Sequence, residues 1–206
     1  MKKHLQPTLE LGVILVFSAL PLFFDLSYQI NLYLTWEGAY RLYEGQTPYA
    51  DFGIPMGFCY WIVPALFFKL FGPSLFTLAK AQFFINIVSG VAFRWLLMAF
   101  PLNATSRFAA ILVYALSFIL GLQWPQYNHS VIVYQIAGLA FLMHHLTGNQ
   151  RPITRWVLLT LSAFFLVFSF FTKQDAGALG ILIALILVGV NAWQQRSYIA
   201  AAAFLR

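Results

Sequence analysis

The strongest constraint on this chain is a series of apolar runs, each about as long as a bilayer is thick, separated by short polar segments. Leu11 to Phe24 continues through Leu26 to Ile30, and about 20 helical residues cover the roughly 30 Å of a hydrocarbon core. Further runs cover Leu75 to Phe100, Phe108 to Leu122, Val131 to Leu146, Trp156 to Thr172 and Ala176 to Trp193. The expected fold is therefore all-α: a polytopic membrane bundle of about six transmembrane helices, forming one transmembrane domain over residues 1–206. The composition agrees, with 61% hydrophobic and 9% charged residues against about 25% charged in soluble domains.

A net charge of +6 and a pI near 9.6 raise the question of nucleic acid. That reading needs basic residues gathered on one face of a soluble domain, and here they stand singly between apolar runs. The partner implied is the bilayer. Lys2, Lys3 and His4 imitate the start of a signal peptide, but no small-x-small cleavage site follows the apolar core. The first run reads as a retained anchor. The lone Cys59 reads as a small apolar residue, and no metal-ligand spacing is present.

Alternating the loops across the bilayer puts Lys2, Lys3, Arg107, Arg151, Arg155 and Arg196 on the N-terminal side, while 123–130 on the other side carries no charge. The positive-inside rule then predicts a cytoplasmic N-terminus. A final apolar stretch, Tyr198 to Leu205, opens a further helix, as expected for the N-terminal portion of a longer protein.

The connection from Gln29 to Ser74 is long for a compact membrane bundle, which favours a functional role. Tyr33, Trp36, Tyr40 and Tyr43 recur at spacings of three and four, as do Glu37, Arg41 and Glu44. They predict an interfacial helix with an aromatic and an ionic face, lying along the outer membrane surface. Glu37, Arg41 and Glu44 are either ordinary surface pairs or a site in which Arg41 offers its fork of donors to a phosphate. Gly45 and Pro48 break this helix, leaving Tyr49, Asp51 and Phe52 in an irregular loop, where Asp51 is either a cap for backbone N–H groups or a base. Phe58 to Phe71 is too short to span and predicts a second interfacial or re-entrant helix. Ser74 is a candidate N-cap for the helix after it.

The segment Trp36-Glu-Gly-Ala-Tyr-Arg-Leu-Tyr-Glu-Gly-Gln-Thr-Pro-Tyr-Ala-Asp-Phe-Gly-Ile-Pro-Met-Gly, with Leu-Phe-Gly-Pro-Ser at 70–74 and Phe-Phe-Thr-Lys-Gln-Asp-Ala-Gly at 170–177, resembles bacterial polytopic glycosyltransferases of the GT-C class. These are the relatives of protein mannosyltransferases and of the lipid A aminoarabinose transferase. The resemblance implies transfer of a sugar from a polyprenyl-phosphate donor lipid to an acceptor at the outer face of a bacterial cytoplasmic membrane. Such chemistry uses a carboxylate to take the acceptor proton and cations to stabilise the departing phosphate. Relatives place an acidic residue about five positions before the motif tryptophan, where this chain has Asn31. Asp51, matching the Tyr-x-Asp-Phe element, is then the first choice for the base and Asp25 the second. The candidate substrate-binding set is Arg41, Glu37, Tyr49, Lys173, Gln174, Asp175 and His129, and the resemblance puts Lys173 on the phosphate with Asp175 orienting it.

On residues alone, 173–175 is equally a charged turn between spans, and Asn128 and His129 form either an acceptor contact or an interfacial cap. Gln82, Asn86 and Ser89 make one polar stripe that predicts contact between helices within the bundle. Two rival functions remain open. A lipid or solute transporter calls for charges at mid-membrane depth, and a non-catalytic membrane partner is favoured by Asn31.

Overall fold

The computed structural model describes residues 2–23, 30–53, 56–148 and 151–204. Among them the chain is mostly helical, without a strand. The elements are α1 (Lys2–Ala19, continued by a tight turn at Leu20–Phe23), α2 (Ile30–Tyr43), α3 (Ile62–Phe71, entered through a turn at Cys59–Trp61) and α4 (Leu75–Met98). Then come α5 (Ala104–Tyr114, continued by a wide π turn at Ala115–Ile119), α6 (Tyr127–Thr147), α7 (Pro152–Phe170) and α8 (Gln174–Phe204).

Among the described residues, five helices are long and apolar enough to cross a membrane: Leu5–Phe23, Leu75–Met98, Tyr127–Thr147, Pro152–Phe170 and Gln174–Arg196. The fold is an all-α membrane bundle. Ala104–Ile119 is shorter but joins the same two ends of the bundle as its neighbours. At one end, the Gln6 amide donates to the Ala104 carbonyl at 2.7 Å; at the other, the Thr35 hydroxyl donates to the Pro125 carbonyl at 2.8 Å. Helix α5 starts earlier than the apolar run suggests because Asn103 caps it, its Oδ1 accepting from the Ser106 N–H at 2.8 Å. Its last turn widens where the Asn86 amide donates to the Ile119 carbonyl at 3.4 Å, and such π turns relax the regular ladder.

The alternation of helices sorts the described charges. One end, here the basic end, holds Arg94, Arg107, Arg151, Arg155 and Arg196 against the single carboxylate of Glu10. The other, the aromatic end, holds Glu37, Glu44, Asp51 and Asp175 against Arg41, Lys69, Lys80 and Lys173. Hydrocarbon offers no hydrophobic drive between helices, so close packing and polar contacts hold a bundle together. The expected stripe supplies several of these contacts. The Asn86 amide reaches the Ile119 carbonyl at 3.4 Å, the Ser89 hydroxyl meets the Tyr114 hydroxyl at 2.5 Å, and within α4 Gln82 donates to Asn86 at 2.6 Å.

Glu10, outside every sequence expectation, ties three helices together. Its side chain is 0% exposed; Oε2 accepts from Arg94 Nε at 2.8 Å, and Oε1 from Arg107 Nε at 2.9 Å and the Gln6 amide at 3.0 Å. These bonds fix α1 to α4 and α5 at once.

Candidate functional site at the aromatic end

Helix α2 forms over the expected aromatic and ionic stripes. Its buried face is Leu32, Thr35, Gly38 and Ala39, packed with Ala65 and Phe68 of α3 and Leu78 of α4. The aromatic residues ring that core: Trp36 stacks on Tyr40 with centroids 4.9 Å apart, and Trp36 and Tyr43 lie 6.3 and 6.5 Å from Phe68. The Glu44 carboxylate beside Tyr40 raises the pKa of its hydroxyl. Ser74 caps α4 as expected, accepting from the Thr77 N–H at 3.2 Å, and Gly72 ends α3 at φ +82°.

Glu37 and Arg41, one turn apart, face a cavity of about 140 Å³ whose other walls are Leu34, Gly38, Phe52, Gly53, Met56 and Trp61. Glu37 Oε1 accepts from both Nε and Nη2 of Arg41, at 3.1 and 2.7 Å. Nη1 donates to Gln46 Oε1 at 3.2 Å, and the guanidinium carbon lies 5.2 Å from the Phe52 ring centroid. A carboxylate, a guanidinium and two aromatic rings thus meet in one small hollow. Gly38 makes room for it, because a Cβ there would lie 1.9 Å from the Trp61 ring.

The loop after α2 is tight. The Thr47 N–H donates to Asp51 Oδ2 at 2.6 Å, the Asp51 N–H returns to the Thr47 carbonyl at 2.9 Å, and the Tyr49 N–H reaches the Phe52 carbonyl at 2.9 Å. Tyr49 has φ +66°, a left-handed conformation uncommon for a bulky residue, and its hydroxyl donates to the Met56 carbonyl at 3.1 Å. Asp51 is exposed and adjoins the cavity through Phe52 without lining it.

The turn between α7 and α8 meets this loop. The Cys59 N–H donates to the Phe171 carbonyl at 3.2 Å. Gly57 sits against the same peptide so closely that a Cβ would lie 1.8 Å from its oxygen. Lys173 Nζ lies 3.7 Å from Asp175 Oδ2 and 5.7 Å from the Tyr127 ring centroid. Gln174 opens α8, and Asp175 Oδ1 accepts from the Ala176 N–H at 2.7 Å.

His129 departs from its expected place in a loop. Helix α6 begins at Tyr127, with the His129 N–H donating to the Gln126 carbonyl at 3.1 Å, so the imidazole points into the bundle. It is 4% exposed, 4.3 Å from the Phe118 ring, with Nδ1 3.5 Å from Gln82 Nε2. Asp25 lies outside the described residues. The structure therefore unites Glu37 with Arg41, and Lys173 with Asp175, while His129 belongs to the interior.

Sequence reasoning missed Glu10 and Arg94. The available signal was a lone acid on the edge of an apolar run, because an ionisable group at membrane depth calls for a partner. Among the described residues, no three His, Cys, Asp or Glu side chains gather as metal ligands. No protein-family model, curated protein or solved structure matches this chain significantly.

Proposed function

We propose that this protein is a membrane glycosyltransferase that moves a sugar from a polyprenyl-phosphate donor to an acceptor at the outer face of a bacterial cytoplasmic membrane, with its N-terminus inside. The observation that carries this reading is the Glu37–Arg41 cavity on α2, built from the segment whose sequence resembles the GT-C enzymes. Aromatic rings and a carboxylate suit a sugar, and a guanidinium suits the phosphate leaving it. The excess of basic residues at the other end supports the orientation.

In the proposed step the acceptor hydroxyl attacks the anomeric carbon as the bond to the lipid phosphate breaks. A carboxylate takes the hydroxyl proton, and the lipid phosphate leaves with the bonding electrons. Asp51 is assigned as the base from its place in the motif: Thr47 engages Oδ2, and Oδ1 is the oxygen assigned to the acceptor proton. Glu37, which lines the cavity, is the competing choice. Lys173 and Arg41 balance the departing charge.

A non-catalytic membrane partner is the second reading. It is favoured by the way Glu37, Gln46 and Phe52 already occupy the Arg41 guanidinium.

The test is transfer of radiolabelled sugar from a panel of polyprenyl-phosphate donors in membranes holding the full chain. Transfer that is lost in Asp51→Asn and Lys173→Ala, with both variants inserted normally, supports the assignment. Loss in Glu37→Gln but not in Asp51→Asn moves the base to Glu37. No transfer by properly inserted wild-type protein across the panel overturns the enzyme reading.

A further inference from the structure

The joint at the basic end carries more charge than its own packing balances. Glu10 is the only carboxylate in α1, α4 and α5, and it faces the two guanidinium groups of Arg94 and Arg107, so one positive charge in this cluster is left over. Each arginine gives Glu10 only its Nε, at 2.8 and 2.9 Å, although a guanidinium presents five N–H donors in a fixed fork. Arg94 Nη1 reaches Met98 Sδ at 3.2 Å, a weak acceptor. Among the described residues, no oxygen accepts from Arg94 Nη2 or from either Nη of Arg107. None of these nitrogens is buried, so both forks open on the flank of the bundle.

The cluster lies below the ends of its helices. Glu10 stands five residues inside the span that begins at Leu5, and Arg94 four residues before the end of α4 at Met98, about 6–8 Å along a helix axis. Leu5, Leu9, Met98 and Leu102 are exposed on these same segments. A hollow of about 200 Å³ opens beside the cluster between α1 and α5, walled by Leu9 and Phe108 and rimmed by Gln6, Ala104 and Thr105. Gln6 links the two, since it lines the hollow and donates to Glu10 at 3.0 Å. The rim is also the first turn of α5, where the helix dipole favours an anion.

We propose that the Arg94–Glu10–Arg107 cluster binds the phosphate of an anionic bilayer lipid in the leaflet at the basic end. The phosphate takes the free Nη edges, whose planar forks match its oxygens in pairs, and the glycerol and upper chain lie against Leu9 and Phe108. A lipid is favoured over a free anion because its own chains carry the phosphate to this depth, among apolar side chains. An anionic lipid is favoured over a zwitterionic one because the cluster lacks one negative charge. Arg151, Arg155 and Arg196 at the same end attract such lipids to the surface without forming the site. The inference is independent of the transferase reading and of which end faces the cytoplasm.

The test is native mass spectrometry of the full chain in neutral detergent, with phosphatidylglycerol or phosphatidylcholine of identical acyl chains added. The first phosphatidylglycerol should bind about tenfold more tightly than the first phosphatidylcholine. Thr105→Glu sets a carboxylate on the rim of the hollow, at an exposed position in a first turn that favours acids, and should cut this preference to about twofold or less. Glu10→Gln, Arg94→Gln and Arg107→Gln in one variant keep amides at the joint, remove its charge and should abolish the preference. Where that variant fails to fold, Thr105→Glu decides. Arg151→Gln, Arg155→Gln and Arg196→Gln together should leave the preference in place.

Equal binding of the two lipids by the wild-type chain, or an undiminished preference in Thr105→Glu, would overturn the site. So would a preference lost in the Arg151, Arg155 and Arg196 variant but kept in Thr105→Glu, which would reveal diffuse attraction to the basic end. Displacement of phosphatidylglycerol by added inorganic phosphate would make this a site for a free anion and overturn the lipid.

Discussion

At the basic end Glu10 is fully buried, and its bonds join residues 84 and 97 positions away. At the aromatic end Glu37, Asp51 and Asp175 are exposed, and each is held by residues at most four positions from itself. Charges of the first kind are part of the packing, since removing one strands the others in a low dielectric. Charges of the second kind exchange partners cheaply, because an exposed local pair contributes little. The same side-chain chemistry thus builds a fixed joint at one end and an exchangeable surface at the other, where a ligand competes only with weak local contacts.

The largest effect expected is from Glu10→Ala, which leaves Arg94 and Arg107 without their shared carboxylate and costs about 3–5 kcal/mol. In detergent this appears as a large drop in Tm. Replacing both arginines by leucine in the same variant should recover much of the loss. An unchanged Tm in the single variant would remove the distinction between the two ends.

Next is Gly57→Ala, whose new methyl meets the Phe171 carbonyl and must displace the loop, at a cost of about 1–3 kcal/mol. Faster hydrogen exchange at the Cys59 amide would register the undocking, while wild-type protection there would mean that the loop and the α7–α8 turn are not joined. Asn86→Ala, removing contacts inside the bundle, should cost about 0.6 kcal/mol, the average for a hydrogen bond between membrane helices. Smallest in stability is Arg41→Ala, at about 0.5 kcal/mol or less, although sugar transfer should fail. A stability loss as large as that of Glu10→Ala would make Arg41 a structural residue and weaken the proposed site.

The helices that cross the membrane were legible because hydrocarbon length and loop charge are local properties of the sequence. So were the Ser74 cap, the aromatic stripe of α2 and the inward-facing Gln82–Asn86–Ser89 stripe. Glu10 escaped because its partners are remote and no short pattern joins it to Arg94 and Arg107; counting apolar residues simply ended the run beside it. His129 escaped for a different reason. Its neighbours Trp124, Pro125 and Asn128 read as loop, yet the helix begins at Tyr127, and one turn of helix takes the ring from the surface into the bundle. The Glu37–Arg41 pairing was visible from spacing. The cavity it faces was not, because Phe52, Met56 and Trp61 reach it only through the folding of the intervening loop. That loop meets the Lys173 turn through the Cys59–Phe171 bond, which joins segments too far apart in the chain for any short pattern to mark.

The assignment of chemistry to the aromatic end depends on that end facing out, and thiol accessibility in intact cells tests this directly. In a Cys59→Ala background, a membrane-impermeant maleimide should label Ala50→Cys, in the exposed loop after α2, without permeabilisation. It should label Gln195→Cys, exposed near the basic end of α8, only after the membrane is opened. Labelling of Gln195→Cys in intact cells, with Ala50→Cys protected until permeabilisation, would invert the molecule and contradict the proposed site of sugar transfer.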